Sequence, residues 1–283
     1  MGKATSPSSV PSLVVRVNKP LVFDLKESVR LVEARSEFLR GFMAAFQKPL
    51  QLRTALDVGC GVGYFSDLLR HLGFEVSAFD GRAANIEEAR RRHTGVKFFV
   101  GDIEDLNAEQ VGTFDFVLCF GLLYHLENPL RAMRWLRAVC RKLLLIESVC
   151  VQERAPLLYL RDEPAFEDQA LRAVACYPSV GALVKMAYRA GFPAVYRTTR
   201  LPEHEDFQGR LGRSQSRTIL VAPVSPLQDS SLALVDEPRG RADLWSTDPT
   251  GLLKMSRKLQ TFMKRPWAEN WARLWRRYGP AGK

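Results

Sequence analysis

The chain has 283 residues, 46% of them apolar, and a formal net charge of +10 from 41 basic and 31 acidic residues. That is enough for one sizeable core with appendages, and no run of about eighteen apolar residues is present, so a membrane-spanning helix is excluded. The five cysteines form no CxxC pair, which argues against a zinc ribbon or a disulfide framework and for a reducing compartment.

The first seventeen residues, "MGKATSPSSVPSLVVRV", lack a long apolar stretch and read as a Ser/Pro-rich tip, not a secretory leader. Met1-Gly2 with Ser6 fits only the minimal myristoylation pattern. Residues 24 to 47 predict a helix, because Leu25, Val29, Val32, Leu39 and Met43 recur at helical spacing with charges between them. "TALDVGC" (54–60) predicts a buried strand, followed by glycines and an amphipathic helix that Gly73 closes. Strands at 75–80, 96–102, 114–121 and 142–148 alternate with helices at 85–93 and after Asn128-Pro129. That alternation calls for a parallel sheet with helices on both faces.

After residue 148 the rhythm breaks, and 149–178 reads as an insertion. A helix from Ser179, two late strands (194–201 and 214–224) and a Pro/Ser/Asp-rich linker (225–250) follow. The late strands, joined by a loop alone, predict an antiparallel hairpin at a sheet edge. The domain organisation is therefore a tip and helix (1–48), a central domain (49–224) and a linker with tail (225–283). From Leu252 on there are nine Lys/Arg and one acid, Glu269, so the tail carries +8 and the body is near neutral.

The stretch "LDVGCGVGYFS" places Gly59, Gly61 and Gly63 between a strand and a helix. Such a turn lets a ligand approach backbone N–H groups and the helix N-terminus. The spacing is not the G-x-G-x-x-G of dinucleotide folds. Asp57 precedes the turn. Asp80, about twenty residues on, can accept both ribose hydroxyls of a nucleoside. Asp102, at the end of the third strand, can accept from an exocyclic adenine amine while Ile103 covers the ring.

"LDVGCGVGYFS", "AFD", "GDIEDL" and "FDFVLCFGLLYHLENP" together resemble the successive motifs of class I S-adenosylmethionine-dependent methyltransferases, over roughly residues 52–224. The resemblance implies a Rossmann-like, doubly wound, seven-stranded α/β sheet with an antiparallel last strand. It implies S-adenosyl-L-methionine as cofactor, held by Asp57, Gly59, Cys60, Gly61, Gly63, Asp80, Asp102, Ile103 and Phe120. "GLLYHLENP" is similar to the segment of methyltransferases acting on saccharides and natural products, and also to the enzyme that carboxymethylates the wobble uridine of transfer RNA.

Methyl transfer to a hydroxyl needs alignment and profits from a base working near neutral pH. His125 is the candidate base, Tyr124 a pocket wall and Glu147 a second polar candidate. Glu203 to Asp206 have metal-ligand chemistry but lie consecutively, which reads as a solvated turn, and no metal is expected. The expected activity is methylation of a hydroxyl on a saccharide, lipid-linked or secondary-metabolite acceptor, with the N-terminal helix and the insertion roofing the acceptor side. A transfer-RNA modifying enzyme and a non-catalytic cofactor-binding subunit are the rivals. A cytoplasmic location follows from composition.

In the tail, Trp267, Trp271, Leu274, Trp275 and Tyr278 share one helical face and arginines the other. This fits a helix docked on its own body or on a second copy as a homodimer. Peripheral membrane contact through 252–278 is the second reading and RNA the third.

Overall fold

The computed structural model describes residues 21–153, 155–164, 169–208 and 215–238. The tip (1–20) and the tail (252–278), on which the myristoylation, docking, membrane and RNA readings rest, lie outside the described residues. No described helix is long and apolar enough to cross a membrane.

Among the described residues ten strands occur in chain order: β1 (Thr54–Val58), β2 (Glu75–Asp80), β3 (Lys97–Val100), β4 (Phe114–Phe120), β5 (Cys140–Val151), β6 (Leu158–Asp162), β7 (Val174–Pro178), β8 (Tyr196–Thr198), β9 (Gln215–Pro223) and β10 (Leu232–Leu234). Eight form one sheet in the order β10-β8-β9-β5-β4-β1-β2-β3. The β3-β2-β1-β4-β5 half is parallel, and β9 lies antiparallel between β5 and β8. Strands β6 and β7 form a separate antiparallel hairpin within the insertion.

Six described helices accompany the sheet: α1 (Lys26–Phe46), α2 (Tyr64–His71), α3 (Ala83–Arg92), α4 (Ala108–Val111), α5 (Pro129–Val139) and α6 (Val180–Arg189). On one face, Leu39, Phe42, Met43 and Phe46 of α1 join Phe65, Leu68 and Leu69 of α2 against the sheet. On the other, Met133, Leu136 and Val139 of α5 pack with Leu183 and Ala187 of α6. Buried from both sides, β4 and β5 read as near-continuous apolar runs, as strands of a covered parallel sheet must. Each such Leu contributes about 1.5–3 kcal/mol of burial, so Leu39→Ala costs about 2–5 kcal/mol.

Helix starts follow from local chemistry. Ser179 Oγ accepts from Ala182 N and caps α6. Pro129 opens α5, and the buried Glu104 carboxylate receives Asn128 N at 2.8 Å just before it. Glu104 thereby acts on a helix end 24 residues away.

Two expectations need correction. The late strands pair antiparallel as expected, but their outer strand, β8, is not the sheet edge, because β10 pairs along it. The edge is β10, inside the stretch read as linker. There Leu232 to Leu234 pair with Thr198 to Tyr196, a register that spacing alone does not reveal. Strand β5 also runs three residues into the expected insertion, because β9 pairs with it through Val151.

Candidate active site

The strand order reverses between β1 and β4, and in open α/β sheets that switch point opens a crevice outside the carboxyl ends of the strands. A cavity of about 400 Å³ lies there, reached by the loops after β1, β2, β3 and β4, by α1 and by the insertion.

The loop after β1 is drawn against β2, since Gly59 N and Cys60 N both donate to Phe79 O, at 2.9 and 3.0 Å. Gly61 has φ +52°, and a Cβ there would stand 2.9 Å from the Phe23 ring. Any side chain would therefore be strained and would collide with the segment ahead of α1. Its N–H donates to Asp80 Oδ2 at 3.0 Å, while Asp80 Oδ1 receives Arg82 N and Asn85 Nδ2. Three of the roughly four acceptor directions of this carboxylate are thus occupied. Asp80 has room for one further donor, where two ribose hydroxyls were expected, unless a protein bond is released.

The segment ahead of α1 is latched onto this loop. Asp24 receives both terminal nitrogens of Arg92, at 2.8 and 2.7 Å, and Tyr64 OH at 2.6 Å. The Arg92 guanidinium, with help from Tyr64, holds the Asp24 carboxyl down at about 2.

The insertion crosses above the ends of β2 and β3. Arg82 Nη2 donates to Gln169 O and Ala170 O, and Leu171 packs so closely on Gly81 that a Cβ there would lie 2.2 Å away. Arg172 pairs with Asp102 at 3.1 Å and Asp105 at 2.8 Å. The insertion was expected over the acceptor side; its residues 169–172 roof the Asp80–Asp102 end as well.

At the other end lies the turn Leu123–His125. His125 Nδ1 is 2.6 Å from Glu163 Oε2, and Glu163 also receives Tyr177 OH at 2.5 Å and Ala170 N at 3.0 Å. Glu163 is 3% exposed. Burial pushes its carboxyl upward, but the hydrogen bonds from His125 and Tyr177 outweigh it and hold the group at about 2. The Tyr124 and Tyr177 rings stack at 5.3 Å.

Between the two ends, Glu147 is fully buried and bridged by two arginines, Arg35 Nη2 at 2.5 Å and Arg217 Nη1 at 2.9 Å. Arg217 Nε continues to Asp206 at 3.0 Å. Arg35 Nε is buried without a hydrogen-bond partner. Both arginines border the cavity.

Gly59, Cys60, Gly61, Asp80, Asp102, Ile103, Phe120, Tyr124 and His125 all line this cavity. Gly63 starts α2 just behind the loop. Asp57, Gly63 and Glu147 are not among the lining residues. Asp57 is 2% exposed, accepts Ser66 Oγ at 2.6 Å and is pushed by burial up to about 7. It ties β1 to α2 beneath the loop. Glu147 has both oxygens committed to arginines, so it holds the side chains that border the cleft and is not a free base.

The 203–206 stretch is not simply a solvated turn. Residues Glu205–Gln208 form a short 3₁₀ helix with Phe207 buried, and Asp206 serves Arg217. Among the described residues, no group of three His, Cys, Asp or Glu side chains gathers to hold a metal ion. The five cysteines are free and buried. Sequence reading missed Arg35, Glu163, Tyr177 and Arg217. The one available signal was a charge on the apolar face of a helix, Arg35 on the inner face of α1; Arg217 stands among Ser, Gln and Thr and carries no such signal.

The cleft's chemistry suits a nucleoside-bearing ligand: a glycine cradle that side chains would fill, a carboxylate beside it and a second carboxylate one strand over. Comparison with known proteins agrees. A model of the family described as methyltransferase domain matches residues 31–196. The chain is 40% identical over 84 residues to a ubiquinone biosynthesis O-methyltransferase of Xanthomonas campestris pv. campestris (strain B100), covering 28% of this chain and 35% of that one. A protein of the same name from Xanthomonas oryzae pv. oryzae (strain PXO99A) is 38% identical over 94 residues, covering 31% and 37%. The chain therefore spans about a third of the length of these curated relatives.

Among solved structures, the N-terminal domain of EvdMO1 in the presence of SAH and D-fucose superposes with a TM-score of 0.57 at 19% identity, over 71% of this chain and 84% of that one. Magnesium protoporphyrin IX methyltransferase from Synechocystis PCC 6803 with bound SAH gives 0.50 at 19% identity, over 70% and 85%. These likenesses show a shared fold. The family match spans more than half of the chain, and the chain belongs to that family, described as methyltransferase domain.

Proposed function

We propose that this cleft binds S-adenosylmethionine and that the chain methylates a hydroxyl of a small acceptor, sugar-like or aromatic. The observation that carries the reading is one cavity with a nucleoside-type cradle at Gly61 and Asp80 and an imidazole, His125, at its far end. The relatives' printed name, O-methyltransferase, supports an oxygen acceptor, and D-fucose with the EvdMO1 domain supports a hydroxylated one.

When bound, the cofactor supplies an electrophilic methyl on a sulfonium. The chain's own residues do the rest. Gly59, Cys60 and Gly61 would present backbone at close range, and Asp80 would receive a ribose hydroxyl through its open acceptor direction. Asp102 and Ile103 would flank the adenine, and Asp102 would accept from its amine in place of Arg172. Phe23, Leu171 and the α1 face exclude water. Tyr124 walls the acceptor side, and His125 takes the proton of the hydroxyl. A base of this kind contributes about 10²–10⁴-fold.

Calorimetry with S-adenosylmethionine and S-adenosylhomocysteine tests the cofactor half. Asp80→Ala should weaken binding by roughly 1.5–3 kcal/mol through one lost charge-assisted bond and a released Gly61. Wild-type affinity in a folded Asp80→Ala protein would remove the cofactor assignment. Labelled cofactor offered to glycan, lipid, RNA and metabolite fractions of a cell extract identifies the acceptor. Label entering RNA alone would replace the small-acceptor reading.

A further inference from the structure

The geometry points to Glu163, carried by the insertion, as the positioning residue that turns His125 into a one-sided base with its Nε2 lone pair facing the cleft. This rests on the methyl-transfer reading of the same cavity. Three donors converge on the Glu163 carboxylate: His125 Nδ1 at 2.6 Å, Tyr177 OH at 2.5 Å and Ala170 N at 3.0 Å. An ionised carboxylate can only accept, so the proton in the His125–Glu163 bond belongs to Nδ1. In a neutral imidazole the lone pair is then on Nε2. Nε2 has no hydrogen-bond partner among the described residues, and the ring borders the cavity.

The proton accounting closes. As the hydroxyl oxygen bonds to the methyl carbon and the C–S pair goes to sulfur, the hydroxyl proton passes to Nε2. The ring becomes an imidazolium, and the adjacent Glu163 offsets its charge without taking a proton. Glu163 lies 38 residues beyond His125, so the base is set only when the insertion docks.

Docking does not depend on Glu163 itself. Cys176 N donates to Leu126 O at 3.2 Å and Cys176 Sγ lies 3.2 Å from Glu127 O, which ties β7 to the turn through other atoms. The Tyr124–Tyr177 stack adds a second tie. A Glu163→Gln protein therefore keeps the insertion in place while losing the charge and the obligate acceptor.

The experiment uses the full chain and needs no acceptor. Long-range proton–nitrogen NMR reads the tautomer of the four histidines, with His125→Ala identifying the signal. Wild type should show His125 protonated on Nδ1, and Glu163→Gln should shift the proton toward Nε2. Carbethoxylation of His125 by diethyl pyrocarbonate, followed by mass spectrometry, should slow about tenfold in Glu163→Gln, since the reagent attacks the accessible lone pair and a tautomer shift moves that lone pair from Nε2 to the Nδ1 side facing residue 163. Tyr177→Phe, which loosens the same carboxylate from its other side, should stay within about twofold of wild type. A wild-type His125 protonated on Nε2, an unchanged tautomer in Glu163→Gln, or equal slowing in both variants would overturn the assignment. Calorimetry with S-adenosylhomocysteine tests the underlying reading separately. Absent binding beside an Nδ1–H tautomer removes the methyl-transfer reading, and normal binding beside an Nε2–H tautomer removes this one.

Discussion

The two ends of the cleft are built by different physics. The Asp80 end is backbone and short range: its carboxylate bonds to residues 2, 5 and 19 positions away, and a glycine turn supplies the surface. The His125 end is side chain and long range, with Glu147 reaching Arg35 across 112 residues and Arg217 across 70, and His125 reaching Glu163 across 38. The first kind of site survives wherever the local sequence survives. The second kind exists only in the assembled fold, and its buried charges make it the costlier one to disturb.

Breaking the long-range end should cost most. Glu147→Ala leaves Arg35 and Arg217 buried without their shared carboxylate, and denaturant unfolding should show a loss of about 3–5 kcal/mol. A loss under about 1 kcal/mol would mean that water reaches the pair and that the contrast is overdrawn. His125→Ala should lower turnover about a hundredfold on the acceptor that the labelling screen returns, with calorimetric cofactor affinity unchanged. A rate within a few-fold of wild type would leave His125 as a wall residue.

The short-range end should respond to shape as well as to charge. Gly61→Ala puts a Cβ on the Phe23 ring in a left-handed backbone, and cofactor affinity should fall by about 1–2 kcal/mol by calorimetry. Normal binding by the Gly61→Ala protein would mean the cradle tolerates a side chain after all.

Asp57 provides a pH signature beneath the loop. Its folded value, about 7, lies above the ordinary 3.8 because it is buried, so the folded state holds the proton more tightly. The stabilisation is fully present below about pH 4 and is lost as pH rises through 7, a change on the order of 2 kcal/mol between about pH 5 and pH 8. Thermal unfolding of Asp57→Asn across that window should show the dependence flattened; an identical dependence in the variant would assign it elsewhere.

The smallest effect belongs to the half-exposed Arg172. Its pairs with Asp102 and Asp105 are exposed and screened by solvent, so they add little to stability. Arg172→Ala should leave stability near wild type and tighten cofactor binding by a few-fold, because Asp102 is freed. Weaker binding would show that Arg172 holds the cofactor and does not compete with it.

What the sequence determined by itself is the parallel half of the sheet and the site it carries. Five apolar runs separated by amphipathic segments can bury their surface only as a sheet with helices on both faces, and Gly59 to Gly63 with Asp80 and Asp102 fall at strand ends by counting alone. The cap at Ser179 and the Pro129 helix start were legible for the same reason, that the interacting atoms are a few residues apart. Tertiary structure alone decided the rest. Nothing in "DSSLALVDEP" marks Leu232 to Leu234 as an edge strand, because pairing with Thr198 depends on how the chain returns. Glu147 reads as a free carboxylate at a strand end until Arg35 and Arg217 arrive from distant elements, and Asp57 reads as a ligand until the fold buries it. Glu163 is one acid in an irregular insertion until β7 brings it to His125. A charge's role depends on its neighbours in space, and sequence spacing fixes those only when helix, strand or turn geometry does.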